Sequence, residues 1–440
     1  MSKLLAGFAR TDISPLESVP LAGYGRSSNR MSNNVSEPLY ANALALTDES
    51  GSTAIVIGLD MGNMYSPLPS FRSDVAQAVG IPVEQVMFSA THTHSAPHLS
   101  NEDEPTIPRY CQLLKEKLVE AAVAAMADRK EATLSVTAIR TQNMNFVRRY
   151  VLEDGTFAGD NYGHFAESPI ARHESEPDRM LQLVKFTREG GKDILMANFQ
   201  GHPHKGAKYR FHHVTSDLVY HFRQQLEADT GCLSVYFSGA SGNVNCASRI
   251  PEENITADYM EHGRALAAYA LEATKHLKSV ESGCVQHKKT VYVGRCNHLE
   301  DHKVEQAKIV VERWQNGAKF AESLVGFEDI INSPFHATSI ISKAARPETM
   351  DVELNALHFG DVAMVFAPFE LYCDLGKMIK EGSPFDTTFV CCYANTIFSY
   401  MPTLLGFQNG GYGPNQCRFE PGTGEEIARQ FTDLLASLKS

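Results

Sequence analysis

No stretch of the chain approaches the roughly 18 uninterrupted apolar residues of a membrane-spanning helix, so a membrane role is not expected. Basic runs are also missing: 40 Lys and Arg stand against 52 Asp and Glu, for a formal charge of −12. A chain that neutralises phosphates needs clustered cations, so no nucleic-acid partner is expected. The nine cysteines form no CxxC pair, their number is odd, and several lie inside apolar runs. They read as buried, reduced thiols. The opening residues, Met1 to Asp12, lack an apolar core of signal-peptide length, and a cytoplasmic location fits both observations. Internal repeats and low-complexity tails are absent too.

What is present describes a globular enzyme-sized chain. Its 440 residues are long for one core and comfortable for two lobes sharing a face. A hydrophobic share of 43% and a charged share of 21% are ordinary for folded proteins. Short β-branched runs recur at 54–60, 86–90, 181–186, 194–199, 233–237, 362–366 and 388–392, and read as strands buried on both faces. Helical spacing appears at about 109–127, 216–226, 257–277, 303–314 and 425–438. This alternation predicts an α/β fold with a mixed β-sheet core layered by helices. Asp154-Gly155 predicts a hairpin turn. The stretch 299–346 has the weakest pattern, one polar helix and then a Ser-, Ala- and Pro-rich loop. It reads as an insertion or lid on a single catalytic domain spanning 1–440, arranged in one body or two lobes.

Histidine is plentiful at 17 residues, and it is the commonest metal ligand. The strand at 86–90 runs directly into Thr91-His92-Thr93-His94-Ser95, and residues two apart on an extended segment share a face. The strand at 194–199 empties into Gln200-Gly201-His202-Pro203-His204, where Pro203 ends ladder pairing. Ligand sites in open α/β sheets gather at the carboxyl ends of strands, which predicts a metal site there. Glu370 follows the strand at 362–366, where it reads equally as a helix-start carboxylate. Tyr400 follows the strand at 388–392 and reads equally as a core aromatic.

From about residue 7 to residue 424 the chain resembles the amidase domain of neutral/alkaline, non-lysosomal ceramidases and their shorter bacterial relatives. The matching segments keep the family's order: Gly7–Pro15, Gly23-Tyr24-Gly25, Pro38–Leu44, Asp60-Met61-Gly62, Thr91–Pro97, His202-Pro203, Ser216-Asp217, Gly242-Asn243-Val244, Pro368-Phe369-Glu370 and Asn395–Thr403. Thr-His-Thr-His-Ser-x-Pro is the most specific of these. The resemblance implies zinc held by His92, His202, Glu370 and Tyr400, with His94 contacting the substrate's reacting group. It also implies a substrate-orienting arginine at Arg148, although Arg149 next door leaves the register open.

Two departures bear on function. Where the family carries Gly-Asp-x-Ser-Pro-Asn, this chain reads Gly242-Asn243-Val244-Asn245-Cys246-Ala247, so Asn245 replaces a serine near the metal. An amide cannot serve as a nucleophile; it can orient or hydrogen-bond. An immunoglobulin-like domain like that of the long ceramidases is not expected after the tyrosine motif. A small, polar substrate is therefore expected rather than ceramide. The implied chemistry is amide hydrolysis by metal-activated water, with His94 (titrating at about 6–7) and Arg148 facing the oxyanion. Tyr400, as a phenolic ligand, could also loosen and hydrogen-bond the tetrahedral intermediate. Asp60 and Asp217 read either as carboxylates holding imidazole tautomers or as caps. An esterase or lactonase, a sugar-acid lyase or isomerase, and a non-catalytic metal-binding relative stay open, as does self-association into a homo-oligomer.

Overall fold

The computed structural model describes residues 3–24, 30–100, 103–159 and 168–439. Two sheets stacked face to face form its centre. The larger, nine-stranded sheet runs Leu233–Ser238, Ile194–Phe199, Met180–Arg188, Lys130–Arg140, Leu4–Asp12, Tyr40–Asp48, Thr53–Leu59 and Val86–Ala90, with Lys278–Val280 beside Lys130–Arg140. The smaller runs Val285–Arg295, Thr349–Phe359, Val362–Phe366 and Thr387–Cys391.

Period-two alternation sorts each strand between two cores. In Thr53–Leu59, Ala54 and Val56 face the gap between the sheets, where they join Met364, Phe366 and Phe389. Ile55, Ile57 and Leu59 face the other way, in the core that also holds Leu114, Leu118, Ala121 and Ala122 of helix Thr106–Ala127. Val362, Met364 and Phe366 likewise point to the inter-sheet core, and Ala363 and Val365 to the helix side. Helices Leu218–Thr230 and Tyr259–Thr274 cover the rest of the large sheet, and Thr423–Lys439 lies on the small one. The result is a four-layer helix–sheet–sheet–helix sandwich, which is why the central strands read as uninterrupted apolar runs.

Three strand pairs inside these sheets are parallel: Thr53–Leu59 with Val86–Ala90, Ile194–Phe199 with Leu233–Ser238, and Val362–Phe366 with Thr387–Cys391. Their carboxyl ends meet. The Ala90 amide donates to the Tyr393 carbonyl and the Cys392 amide to the Ser238 carbonyl, joining the sheets at that end. The hairpin expected around Asp154-Gly155 is present, with the Leu152 amide bonded to the Thr156 carbonyl and Gly155 at φ 83°.

The stretch 299–346 is more ordered than its composition suggests. Beyond helix Val304–Gln315 it forms Phe320–Leu324 and Pro334–Ala344, with a small apolar core of its own around Val310, Leu324, Ile331 and Ile340. What reads as loop becomes helix because Ser333 caps it, accepting from the His336 amide, and Pro334 occupies the first turn. The chain's single tryptophan, Trp314, packs edge-on to Phe335 at 4.8 Å between centroids. All nine cysteines carry free thiols, and only Cys284 is exposed. Among the described residues no helix is long and apolar enough to cross a membrane.

Candidate active site

The backbone turns sharply as Val86–Ala90 ends, and His92 takes a left-handed φ of 66°. Its amide donates to the Met61 carbonyl, its Nδ1 lies 2.5 Å from the Gly62 carbonyl, and Tyr393 stacks on its ring at 3.9 Å. His202 is held in the same manner, with Nδ1 2.8 Å from the Ser241 carbonyl. A carbonyl only accepts, so both Nδ1 atoms carry the proton and both Nε2 atoms present lone pairs. Those two acceptors face each other at 3.0 Å. Glu370 Oε2 lies 3.5 Å from each of them, buried and without a hydrogen-bond partner among the described residues.

Three electron-rich atoms this close repel unless a cation lies between them. Donors about 2.05 Å from a common tetrahedral centre would be about 3.3 Å apart, and edges of 3.0, 3.5 and 3.5 Å come close to that spacing. The residues therefore fit a small divalent metal, and the nitrogen and oxygen donors suit zinc. His94 Nε2 is also near, 3.3 Å from His92 Nε2, and the donor atoms of His92, His94 and His202 all fall within 4.8 Å of one another.

Glu370 and Tyr400 reach the site through a two-residue parallel pairing, Glu370–Leu371 with Tyr400–Met401, in which the two side-chain bearers are direct partners. Burial pushes the Tyr400 hydroxyl well above the ordinary phenol range, and the Glu370 charge adds to this. The backbone of Glu370 rests on Gly242, where a Cβ would sit 2.2 Å from the Glu370 carbonyl oxygen.

Arg148 is tied to the site through Tyr400. It donates to the Gly242 carbonyl at 2.7 Å, the Tyr400 hydroxyl at 3.0 Å and Asn245 Oδ1 at 3.3 Å. Arg149 forms a buried pair with Glu174 and bonds the Gly410 carbonyl. Asn245 also meets His204 Nε2 at 2.9 Å. Burial brings His204 down to about 4 despite that bond, so the ring is neutral.

The expectation for His94 changes, and the double readings of Asp60 and Asp217 fall on their structural side. His94 does not titrate at 6–7: burial first, and then its neighbours His92, His202, His204 and Arg148, push it well below the ordinary histidine value. Asp60 and Asp217 do not orient the imidazoles, because backbone carbonyls already occupy both Nδ1 positions. Asp60 instead forms a fully buried pair with Arg223 and accepts from the Tyr40 amide. Asp217 accepts the Leu218 and Gly206 amides, capping helix Leu218–Thr230 and clamping the loop after His202.

Of the glycine pair at 23 and 25, Gly25 lies outside the described residues. Gly23, at φ 107°, packs on His94, where a Cβ would approach to 2.5 Å. The residues missed in the sequence are His204, Tyr393, Asn63, Tyr65, His98, Tyr412 and Phe335. Only His204, paired with His202, carried a signal that could have found it.

The pocket in front of the triangle encloses about 620 Å³ including its open mouth. His92, His94, Glu370 and Tyr400 form its floor, and Asn63, Tyr65, His98, Phe335 and Tyr412 form its wall.

No protein-family model matches the sequence, and no curated protein matches it. Solved structures do. The neutral ceramidase from Pseudomonas aeruginosa superimposes with a TM-score of 0.72 at 16% identity, over 100% of this chain and 75% of that one. A ceramidase complexed with C2 gives 0.73 at 14% identity, over 100% and 76% of the two chains. At such identities the likeness is one of architecture, and on that ground this chain has a neutral-ceramidase-like fold.

Proposed function

We propose that the protein is a zinc-dependent amidase that hydrolyses the N-acyl bond of a small, polar substrate, with the metal held by His92, His202, Glu370 and Tyr400. The observation that carries this reading is the triangle of His92 Nε2, His202 Nε2 and Glu370 Oε2, with edges of 3.0, 3.5 and 3.5 Å, of which His92 and Glu370 line an open pocket. The fold shared with ceramidases supports an amide as the bond attacked. Bound there, zinc would supply Lewis-acid activation of water and of the scissile carbonyl.

The chain's own residues divide the remaining work. Arg148, fixed by the Gly242 carbonyl and Asn245, supplies preorganised donors beside the position of a developing oxyanion. His94, neutral and on the same floor, hydrogen-bonds the reacting group. Asn245 holds Arg148 and His204 in place and offers no nucleophilic atom, which supports attack by water without a covalent intermediate. The polar wall residues Asn63, Tyr65 and His98 support a small, hydrophilic substrate. Free thiols throughout support a reducing, cytoplasmic setting.

Metal analysis of the wild type and of a His92→Ala/His202→Ala double variant tests the centre. About one zinc per chain is expected in the first and almost none in the second; stoichiometric zinc in the double variant sinks the assignment. A panel of N-acyl, ester and lactone substrates then tests the bond. Ester or lactone turnover without amide turnover would move the reading to an esterase or lactonase.

A further inference from the structure

A buried cation lies behind His94. Arg30 is only 2% exposed, and burial pulls its guanidinium down to about 10. Its hydrogen-bond partners among the described residues are all neutral. Nε donates to the Phe211 carbonyl, Nη1 to the carbonyls of His94 and Ala22, the latter at 2.9 Å, and Nη2 to Ser95 Oγ at 2.9 Å. The rings of Tyr24 and Phe211 lie against it at 5.0 and 4.6 Å. Taking a charge out of water is expensive, and carbonyls and ring faces return less than a carboxylate would. A hydrophobic side chain of similar volume would fill the space at lower cost.

What such a filler could not do is hold three segments at once. The planar fork of Arg30 ties Ala22, the His94-Ser95 stretch beyond strand Val86–Ala90, and Phe211 in the loop that follows His202. These segments surround one imidazole. Gly23 lies against His94, and Tyr24 packs edge-on to the His94 ring at 5.4 Å, with Arg30 over its own ring. His92 and His202 are oriented by backbone carbonyls at Nδ1, whereas the Nδ1 of His94 has no hydrogen-bond partner among the described residues. Its orientation therefore depends on what packs around it.

We propose that Arg30 is a positioning residue, whose guanidinium fixes the backbone of His94 and, through Tyr24, the tilt of the His94 ring beside the metal triangle. Its effect on turnover rests on the amidase reading above; its effect on His94 does not.

The test compares full-length wild type, Arg30→Lys and Arg30→Met, with histidine ¹⁵N-labelled, for zinc content, the His94 side-chain NMR signals, and kcat and KM on the N-acyl substrate turned over fastest. Arg30→Met is expected to keep its zinc, since no bond of Arg30 reaches His92, His202 or Glu370. Its kcat should fall roughly 30-fold or more while KM stays within about threefold, as befits a misplaced catalytic group. Arg30→Lys keeps the charge without the fork, and a loss of about tenfold in kcat is expected. It decides the matter should Arg30→Met not fold. In both variants the His94 signals should shift or broaden while those of His92 and His202 stay in place. Unmoved His94 signals in a folded variant overturn the proposal, and so does wild-type kcat. Loss of zinc overturns it too, because Arg30 would then support the whole centre rather than His94. The signals need no substrate: shifted His94 signals in the variants, together with a wild type that cleaves no amide, overturn the amidase reading alone.

Discussion

Gly242→Ala tests whether the floor of the site depends on one close backbone approach. A Cβ there would meet the Glu370 carbonyl oxygen at 2.2 Å, its carbon at 2.7 Å and the Leu371 carbonyl oxygen at 3.1 Å. All three are backbone atoms, so no side-chain rotation relieves the contact. Reaching ordinary van der Waals distance requires about 1 Å of displacement of the Glu370 strand. That strand is only two residues long, and its partner carries Tyr400, so both side chains move with it. The same substitution disturbs the Gly242 carbonyl, which anchors Arg148 at 2.7 Å. Overpacking of this kind costs about 1–3 kcal/mol, and an error of ~1 Å in a catalytic constellation costs roughly 100-fold in rate. The variant is expected to melt a few degrees lower, to hold less than stoichiometric zinc, and to turn over about 100-fold more slowly. Metal analysis, a thermal melt and steady-state kinetics read the three effects. Wild-type zinc content together with wild-type kcat would refute the reasoning, since Glu370 would then not depend on this packing.

Three further outcomes are expected. His94→Ala should keep its zinc, because the His92–His202–Glu370 triangle closes without it, and should lose about 100-fold or more in kcat; metal loss would instead move His94 into the ligand set. Asn245→Ala should cost about 1–3 kcal/mol in kcat/KM, since it removes an acceptor from Arg148 and His204 but leaves the metal, and a trapped covalent adduct on any side chain would contradict direct attack by water. Burial raises the Asp217 carboxyl to about 6 against the pull of the Leu218 and Gly206 amides, from a usual value near 3.8. A folded-state value above the unfolded one means this group's stabilisation is present below pH ~4 and lost as pH rises through about 6, by on the order of 2–3 kcal/mol; denaturation of wild type and Asp217→Asn across pH 4–7 should show their stability difference shifting in that direction, and parallel curves would refute it.

The parts of the fold visible in the sequence are those buried from both sides. Val86–Ala90, Ile194–Phe199 and Val362–Phe366 lie between a helix layer and a second sheet, so every position but Asn198 is apolar or small and the run announces itself. Lys130–Arg140 and Val285–Arg295 are half exposed along much of their length, and their mixed pattern hides them. Tyr40–Asp48 is almost wholly buried but alanine-rich, and alanine carries little strand preference. The two histidine motifs were legible because each follows its strand directly. Glu370 and Tyr400 were not, apart from family resemblance, because the pairing that unites them exists only in the folded chain.

The lone tryptophan gives the molecule an optical reporter of its own. Trp314 rests against Phe335, and Phe335 belongs to the pocket wall, so a single indole stands one aromatic ring away from whatever occupies the site. Because no second indole emits, its fluorescence carries no average over distant regions. A spectral shift on adding a ligand reads the environment of the 299–346 insertion where it meets the pocket, and a titration followed at that one wavelength becomes a measurement of that wall, free of labels.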